Sequence, residues 1–370
     1  MEGLEEKKPS SVGVFFKYGQ VIFALLLFIF AIDLLTVAMG RINSGLALDF
    51  LQATKNPFIS LFIGLLVTAL IQSSSTVTAS VVAIVASGNL TLQQAVPLVL
   101  GANIGTTLTS TLVSLSYLMN RKQFRRALSA GISHDIFNIL SVVLLFPLEI
   151  YFGFLSKTAI FIAGWFDSDN SFDGPIVYNR MFTRTWTDWL VDQIPLPVVS
   201  MVLSILLVFL AIKVLSTAMY KSFVKNTFQD INKVIFEKTG LAFIYGVFFT
   251  ASVQSSTVTT SLVVPLVANK KVTLSKAFPF IIGTNIGTTI TAVIASIYKP
   301  EAAIALALVH VLFNSFGALI FLPFPKIRFI PIWISNYMGR ISLQNRFVGF
   351  AYILLTFFII PFLLIYFTTD

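Results

Sequence analysis

The chain has 370 residues, of which 56% are hydrophobic and 11% charged, a balance that suits a lipid bilayer rather than water. Its formal net charge of +9 comes from basic residues in short segments between apolar runs; these orient a membrane protein and do not build a nucleic-acid surface. Cysteine is absent, which excludes disulfides, thiolate metal sites and thiol redox chemistry.

Residues 1–19 are polar, mixed in charge, and expected to form a loosely ordered cytoplasmic leader. Gln20–Met39 is apolar except for Asp33 and long enough to span a bilayer, so no cleavable signal peptide is expected. Gly40–Asn56 reads as a short interfacial segment. Pro57–Ser87 is apolar on both sides of a polar run at Gln72–Thr78, the pattern of a helical hairpin that enters the membrane and turns at a polar tip. Leu92–Met119 contains Gly101, Asn103 and Gly105 and is expected to be a broken helix. Arg121, Lys122, Arg125 and Arg126 place the next loop in the cytoplasm. His134–Ala163 then crosses outward, with Glu149 at a solvated helix end. Residues 165–197 are rich in Asp, carry Trp165, Trp186 and Trp189, and read as an external linker.

Val198–Met219 crosses inward, and Lys221, Lys225, Lys233 and Lys238 mark a cytoplasmic segment with an amphipathic helix. Leu241–Asn269 is a second hairpin, Phe278–Tyr298 a second broken helix and Ala302–Leu322 its returning partner. Lys326, Arg328, Arg340 and Arg346 form a basic cytoplasmic loop before the last apolar segment, Phe347–Phe367. Three crossings and one hairpin per half, oriented by the basic loops, give two halves of opposite direction. The expected fold is therefore an all-α integral membrane protein with two inverted-topology repeats, residues 20–164 and 198–322. Each repeat holds a re-entrant helical hairpin and a discontinuous transmembrane helix, and residues 323–370 are appended. The expected location is the cytoplasmic membrane, crossed several times.

The halves are also related in sequence. Thr68–Thr109 aligns with Thr250–Thr291 without a gap at a constant offset of 182, and about half of the aligned positions are identical. The repeated unit contains Gln72-Ser73-Ser74-Ser75 and Gln254-Ser255-Ser256-Thr257, each followed by Gly-x-Asn-Ile-Gly-Thr-Thr. Small and hydroxylated residues also serve close helix packing, but packing alone does not require Gln and Asn to recur at one spacing. These motifs, with the stretch Phe124–Glu149, resemble the type II sodium-coupled phosphate cotransporters over more than a third of the chain.

A hairpin with a Gln-Ser-Ser tip presents hydroxyls and an amide at membrane depth. The half-helix leaving the tip offers free N–H groups and a positive dipole end, an anion site. Two tips meeting from opposite sides would surround one oxyanion with Ser73, Ser74, Ser75, Ser255, Ser256 and Thr257. Neither motif contains Lys or Arg, so an anion there needs mobile cations to offset its charge in low dielectric. The oxygens of Gln, Asn, Ser and Thr suit a small alkali cation. The resemblance implies sodium as the coupling ion, with Gln254, Ser255, Thr288 and Thr291 among its ligands. Repeat symmetry adds Gln72, Ser73, Thr106 and Thr109. It also implies inorganic phosphate as cargo, held mainly by Ser74, Ser75, Ser256 and the tip amides. Thr257 departs from the serine usual in the family at that place. Asn103 and Asn285 are supporting residues. No cofactor other than sodium and no catalytic residue is expected, and a homodimer is left open.

His134-Asp-Ile-Phe-Asn138 and His310-Val-Leu-Phe-Asn314 occupy matching places. Their duplication favours hydrogen bonding or packing over a Ser–His hydrolase, which needs one nucleophile and one base. Two histidines without cysteine cannot fill a usual metal sphere. Asp135, matched by Val311, is either an extra cation site that would make transport carry net charge or a partner of Arg125, Arg126 or His134. Asp33, matched by Leu215, has less to recommend it as a functional group. A symporter of another oxyanion such as sulfate satisfies the same physical arguments.

Overall fold

The computed structural model describes residues 11–42, 52–165, 183–220, 234–345 and 347–368, and every regular element among them is a helix. In the first half these are α1 (Ser11–Gly40), α2 (Pro57–Ile71), α3 (Ser74–Ala86), α4 (Leu92–Gly105), α5 (Leu108–Leu115), α6 (Arg121–Phe152) and α7 (Phe154–Ala163). After α8 (Arg184–Asp192) come α9 (Pro197–Met219), α10 (Thr239–Val253), α11 (Ser256–Ala268), α12 (Leu274–Ser296) and α13 (Glu301–Phe321). The chain continues through α14 (Pro325–Gln344), and α15 (Phe347–Leu354) runs through a π turn into α16 (Ile360–Thr368). Among the described residues, 7 helical stretches are long and apolar enough to cross a membrane, consistent with a multi-pass membrane protein.

The duplicated sequence folds the same way twice. Helix α2 packs along α4, and α10 along α12. A methyl at Gly64 would overlap the Leu98 carbonyl, one at Gly101 the Leu61 carbonyl and one at Gly105 the Leu65 carbonyl. At the offset of 182, Gly246 faces Phe280, Gly283 faces Phe243 and Gly287 faces Val247. Where no apolar driving force separates helix from lipid, glycine lets backbones approach and gain dispersion contact.

The structure shifts the break expected in the first half and removes the one expected in the second. Gly101, Asn103 and Gly105 lie within α4, and the interruption comes one step later, at Thr106–Thr107, as a tight turn before α5. In the second half α12 is continuous from Leu274 to Ser296. Its glycines serve as contact points, and the hydroxyls of Thr284, Thr288 and Thr289 bond to carbonyls of the preceding turn without opening the ladder.

The two halves are interlaced. Helix α6 of the first half places Ala127, Ala130 and Phe137 in a core with Phe278, Phe280 and Ile281 of α12. Helix α13 of the second half places Leu306, Val309 and Phe313 among Val81, Val85 and Leu98 of α3 and α4. Phe137 meets Phe278 and Phe321 edge-on at centroid distances of 6.2 and 5.6 Å.

Several smaller expectations change. Helix α1 begins at Ser11, inside the segment read as a leader. The basic cluster Arg121–Arg126 forms the first turns of α6, where Asn120 caps the helix and Arg126 donates to the Ala268 carbonyl at the end of α11. The segment read as one crossing to Ala163 divides at Gly153, whose φ of +63° ends α6 before α7. Glu149 is buried rather than solvated: its carboxylate accepts from the Leu155 and Ser156 amides and the Ser156 hydroxyl, capping α7. The basic loop after residue 322 is mostly helix α14, which packs along α6. The amphipathic helix expected around Lys221–Lys233 falls outside the described residues.

Candidate functional site

Each Gln-Ser tip is built by one local conformation. Helix α2 ends because Gln72 turns left-handed, with φ 57°, and its amide returns to the Thr68 carbonyl at 2.7 Å. Gln254 does the same at φ 55°, with its amide 2.6 Å from the Thr250 carbonyl. A non-glycine residue in this region costs roughly 1–3 kcal/mol, so two copies at equivalent positions mark a maintained geometry. The following serine is extended and caps the next helix. The Ser73 Oγ accepts from the Thr76 amide at 3.2 Å, and the Ser255 Oγ from the Val258 amide at 3.3 Å. The first-turn amides of Ser74, Ser75, Ser256 and Thr257 have no place in the helical ladder, so each tip carries N–H donors and the positive end of a dipole.

The tips touch. Ser75 of the first donates its hydroxyl to the backbone carbonyl of Gln254 in the second at 3.0 Å, and Thr291 of α12 donates to the Ser75 hydroxyl at 3.4 Å. Ser74 and Ser256 are buried at the helix starts, and their carbonyls accept from Thr78 and Thr260.

The sequence symmetry is not carried through to every contact. Gln254 is buried with Oε1 lacking a hydrogen-bond partner, whereas Gln72 is exposed. Thr291 reaches Ser75, whereas its counterpart Thr109 has a buried hydroxyl without a partner. Thr106 and Thr288 behave alike: each hydroxyl donates to a carbonyl four residues earlier, at 2.8 Å, leaving oxygen lone pairs to accept or to ligate. A bare side-chain carbonyl and hydroxyl lone pairs, with no ammonium or guanidinium in the motif, form a donor set suited to an alkali cation. Thr257 is half-buried and its carbonyl accepts from the Thr260 hydroxyl at 3.4 Å.

Beside the tips, six polar side chains form one buried network drawn from both halves. His134 pairs through Nε2 with Asn285 Oδ1, and Asn285 Nδ2 donates to Asn138 Oδ1 at 2.6 Å. Asn138 Nδ2 donates to the Asn103 carbonyl at 2.8 Å. Asn103 Oδ1 accepts from His310 Nε2 at 3.2 Å and Asn314 Nδ2 at 3.3 Å. These bonds make both imidazoles Nε2–H donors, and both Nδ1 atoms are buried without a partner. An unsatisfied buried acceptor costs about 1–3 kcal/mol, so pure stability is poorly served by this arrangement. Neither histidine pairs with a serine, and no Ser–His dyad forms among the described residues.

Asp135 takes none of the three partners expected for it, Arg125, Arg126 or His134. It is fully buried and accepts from Thr111 at 2.9 Å, while its Oδ1 has no hydrogen-bond partner. Asp33 forms the cluster that sequence reasoning undervalued. It pairs with Lys299 at 3.1 Å and accepts from Thr183 and Thr187 at 2.8 and 3.0 Å, with Arg184 4.0 Å away. Burial pushes the Lys299 ammonium below its usual pKa, against the upward pull of the Asp33 carboxylate.

The Na+/Pi-cotransporter family matches residues 27–157 and 206–330, more than half of the chain and both copies of the tip. The chain belongs to this family. Among curated relatives, a sodium-dependent phosphate transport protein 2B from Pongo abelii is 29% identical over 96% of this chain and 66% of its own length. The 2B protein from Homo sapiens is 29% identical over 91% of this chain and 63% of its own. A sodium-dependent phosphate transport protein 2A from Ovis aries is 28% identical over 97% of this chain and 69% of its own. The chain thus spans about two thirds of the length of the relatives it matches. No solved structure matches it.

Proposed function

We propose that the chain is a sodium-coupled symporter that imports inorganic phosphate across the cytoplasmic membrane by alternating access. The observation that carries the reading is the meeting of the tips, where Ser75 of one motif bonds to Gln254 of the other. Two helix N-termini and their serine hydroxyls converging there supply donors for an oxyanion, with Ser74, Ser75 and Ser256 as its principal holders. The unpartnered side-chain Oε1 of Gln254, with Ser255, Thr288 and Thr291, takes a sodium ion that offsets the anionic charge. Gln72, Ser73, Thr106 and Thr109 form the related set.

In this reading the helix pairs α2–α3 and α10–α11 are re-entrant hairpins of two inverted repeats. The contrast between exposed Gln72 and buried Gln254 belongs to one end of the transport cycle. Asp135, with its bare carboxylate oxygen, adds a further cation contact and lets transport carry net charge.

Uptake of labelled phosphate into proteoliposomes tests this. Replacing sodium by choline at fixed pH is expected to abolish uptake; undiminished uptake under that exchange, with pH sensitivity in its place, would overturn sodium coupling. Ser74→Ala and Ser256→Ala should each lower uptake roughly tenfold or more at unchanged abundance, the scale of a lost charge-assisted hydrogen bond. Wild-type rates in both variants would remove the site. An excess of sulfate should leave uptake unaffected.

A further inference from the structure

We infer that His134 and His310 are positioning residues that couple the two sodium-ligand sets, each acting through an asparagine of the opposite half. The inference rests on the sodium reading above and extends it to residues outside the ligand sets. Each histidine sits on the last long helix of its own half, and its Nε2 engages the repeated Asn of the other half. Asn285 precedes Thr288 by less than one turn of α12, and Asn103 stands in the same relation to Thr106, which caps the C-terminus of α4. A hydrogen bond that fixes either amide therefore fixes the face of the helix carrying that threonine.

The two arrangements are not independent. Asn138 joins the Asn285 side chain to the Asn103 backbone carbonyl, so a shift of α12 at Asn285 is felt on α4 at Asn103. A network serving packing alone would have no reason to leave both Nδ1 atoms and the Asn314 Oδ1 bare. Nor would packing require each pair to be drawn from opposite halves. The crossed pairing gives each sodium set a direct mechanical report of the other.

The test uses the full-length protein purified in detergent and reconstituted. Sodium is titrated with two readouts, the sodium-dependent shift in thermal unfolding and phosphate uptake. His134→Ala and His310→Ala are each expected to raise the sodium half-saturation about five- to tenfold and to lower the sodium Hill coefficient toward one. His134→Asn and His310→Asn, too short to reach their partners but less prone to leave a cavity, should behave the same way. The exchange His134→Asn with Asn285→His should restore half-saturation to within about threefold of wild type.

Wild-type sodium dependence and Hill coefficient in whichever pair folds would overturn the coupling. So would a loss of uptake that tracks protein abundance alone, or an exchange no better than its single changes. Sodium binding without phosphate uptake in the wild-type chain would defeat the substrate reading separately, while leaving the coupling measurable in the unfolding titration.

Discussion

Asp33 is fully buried within a 23-residue apolar span, a placement tolerable only because partners meet it from two distant parts of the chain. Lys299 neutralises it, and two threonine hydroxyls from the start of α8 satisfy its other oxygen. Removing Asp33 takes away the carboxylate that Lys299 and Arg184 both face. Asp33→Asn is therefore expected to destabilise the protein by about 3–5 kcal/mol, while Asp33→Asn with Lys299→Met should recover most of that loss. Thermal unfolding in detergent measures both, and an Asp33→Asn protein as stable as wild type would show the pair to be inert. The pH dependence has a definite sign. Burial lowers the folded-state pKa of Lys299 below its unfolded value, so the penalty is fully present below the folded pKa and fades as pH rises toward the unfolded one. The variant loses the Asp33 attraction that opposed this shift. Its deficit should accordingly be largest below the lowered folded-state pKa and narrow as pH rises toward the unfolded one, read from thermal unfolding across a pH series.

At the scale of elements, the paired seams α2–α4 and α10–α12 determine where the site threonines stand. Gly283→Ala would press a methyl into the Phe243 carbonyl, and Gly101→Ala would do the same at Leu61. Each is expected to cost about 1–3 kcal/mol or more by forcing the helices apart. Lost phosphate uptake with the chain still in the membrane is the expected outcome, measured against Gly240→Ala, which meets open space. The same seams explain where sequence reasoning succeeded and where it missed. A polar run between two apolar runs admits few structures in a bilayer, so the turns at Gln72 and Gln254 were legible. Glycine is ambiguous: it permits a break, and it also permits contact. Which role Gly101 or Gly283 plays depends on a neighbouring helix that the linear sequence does not display. Helix α14 has a sequence signal, since Ile332, Ser335, Gly339 and Ser342 recur at helical spacing and are buried, but the scattered basic residues give the same stretch the look of a loop. Glu149 was misplaced because its partners lie past Gly153, on a helix not expected to start there.

For the whole molecule, interlacing has a consequence that neither half shows alone. Helix α6 is built into a core made largely by α10–α12, and α13 into one made by α3 and α4. Co-expressed fragments split between residues 165 and 183 should therefore associate and recover sodium-driven uptake, whereas either fragment alone should not persist in the membrane. Fragments that are each stable alone would contradict the shared cores. The Asp33 cluster adds a constraint in time. The first span leaves the ribosome carrying a carboxylate whose cation is 266 residues downstream. Until Lys299 is synthesised and inserted, that helix lacks the closer of its two cations, and an aspartate at mid-span costs roughly 2.5–3.5 kcal/mol against membrane residence. The first helix is thus expected to be held less firmly before that contact forms, and a stop codon before Lys299 should yield products marked for degradation.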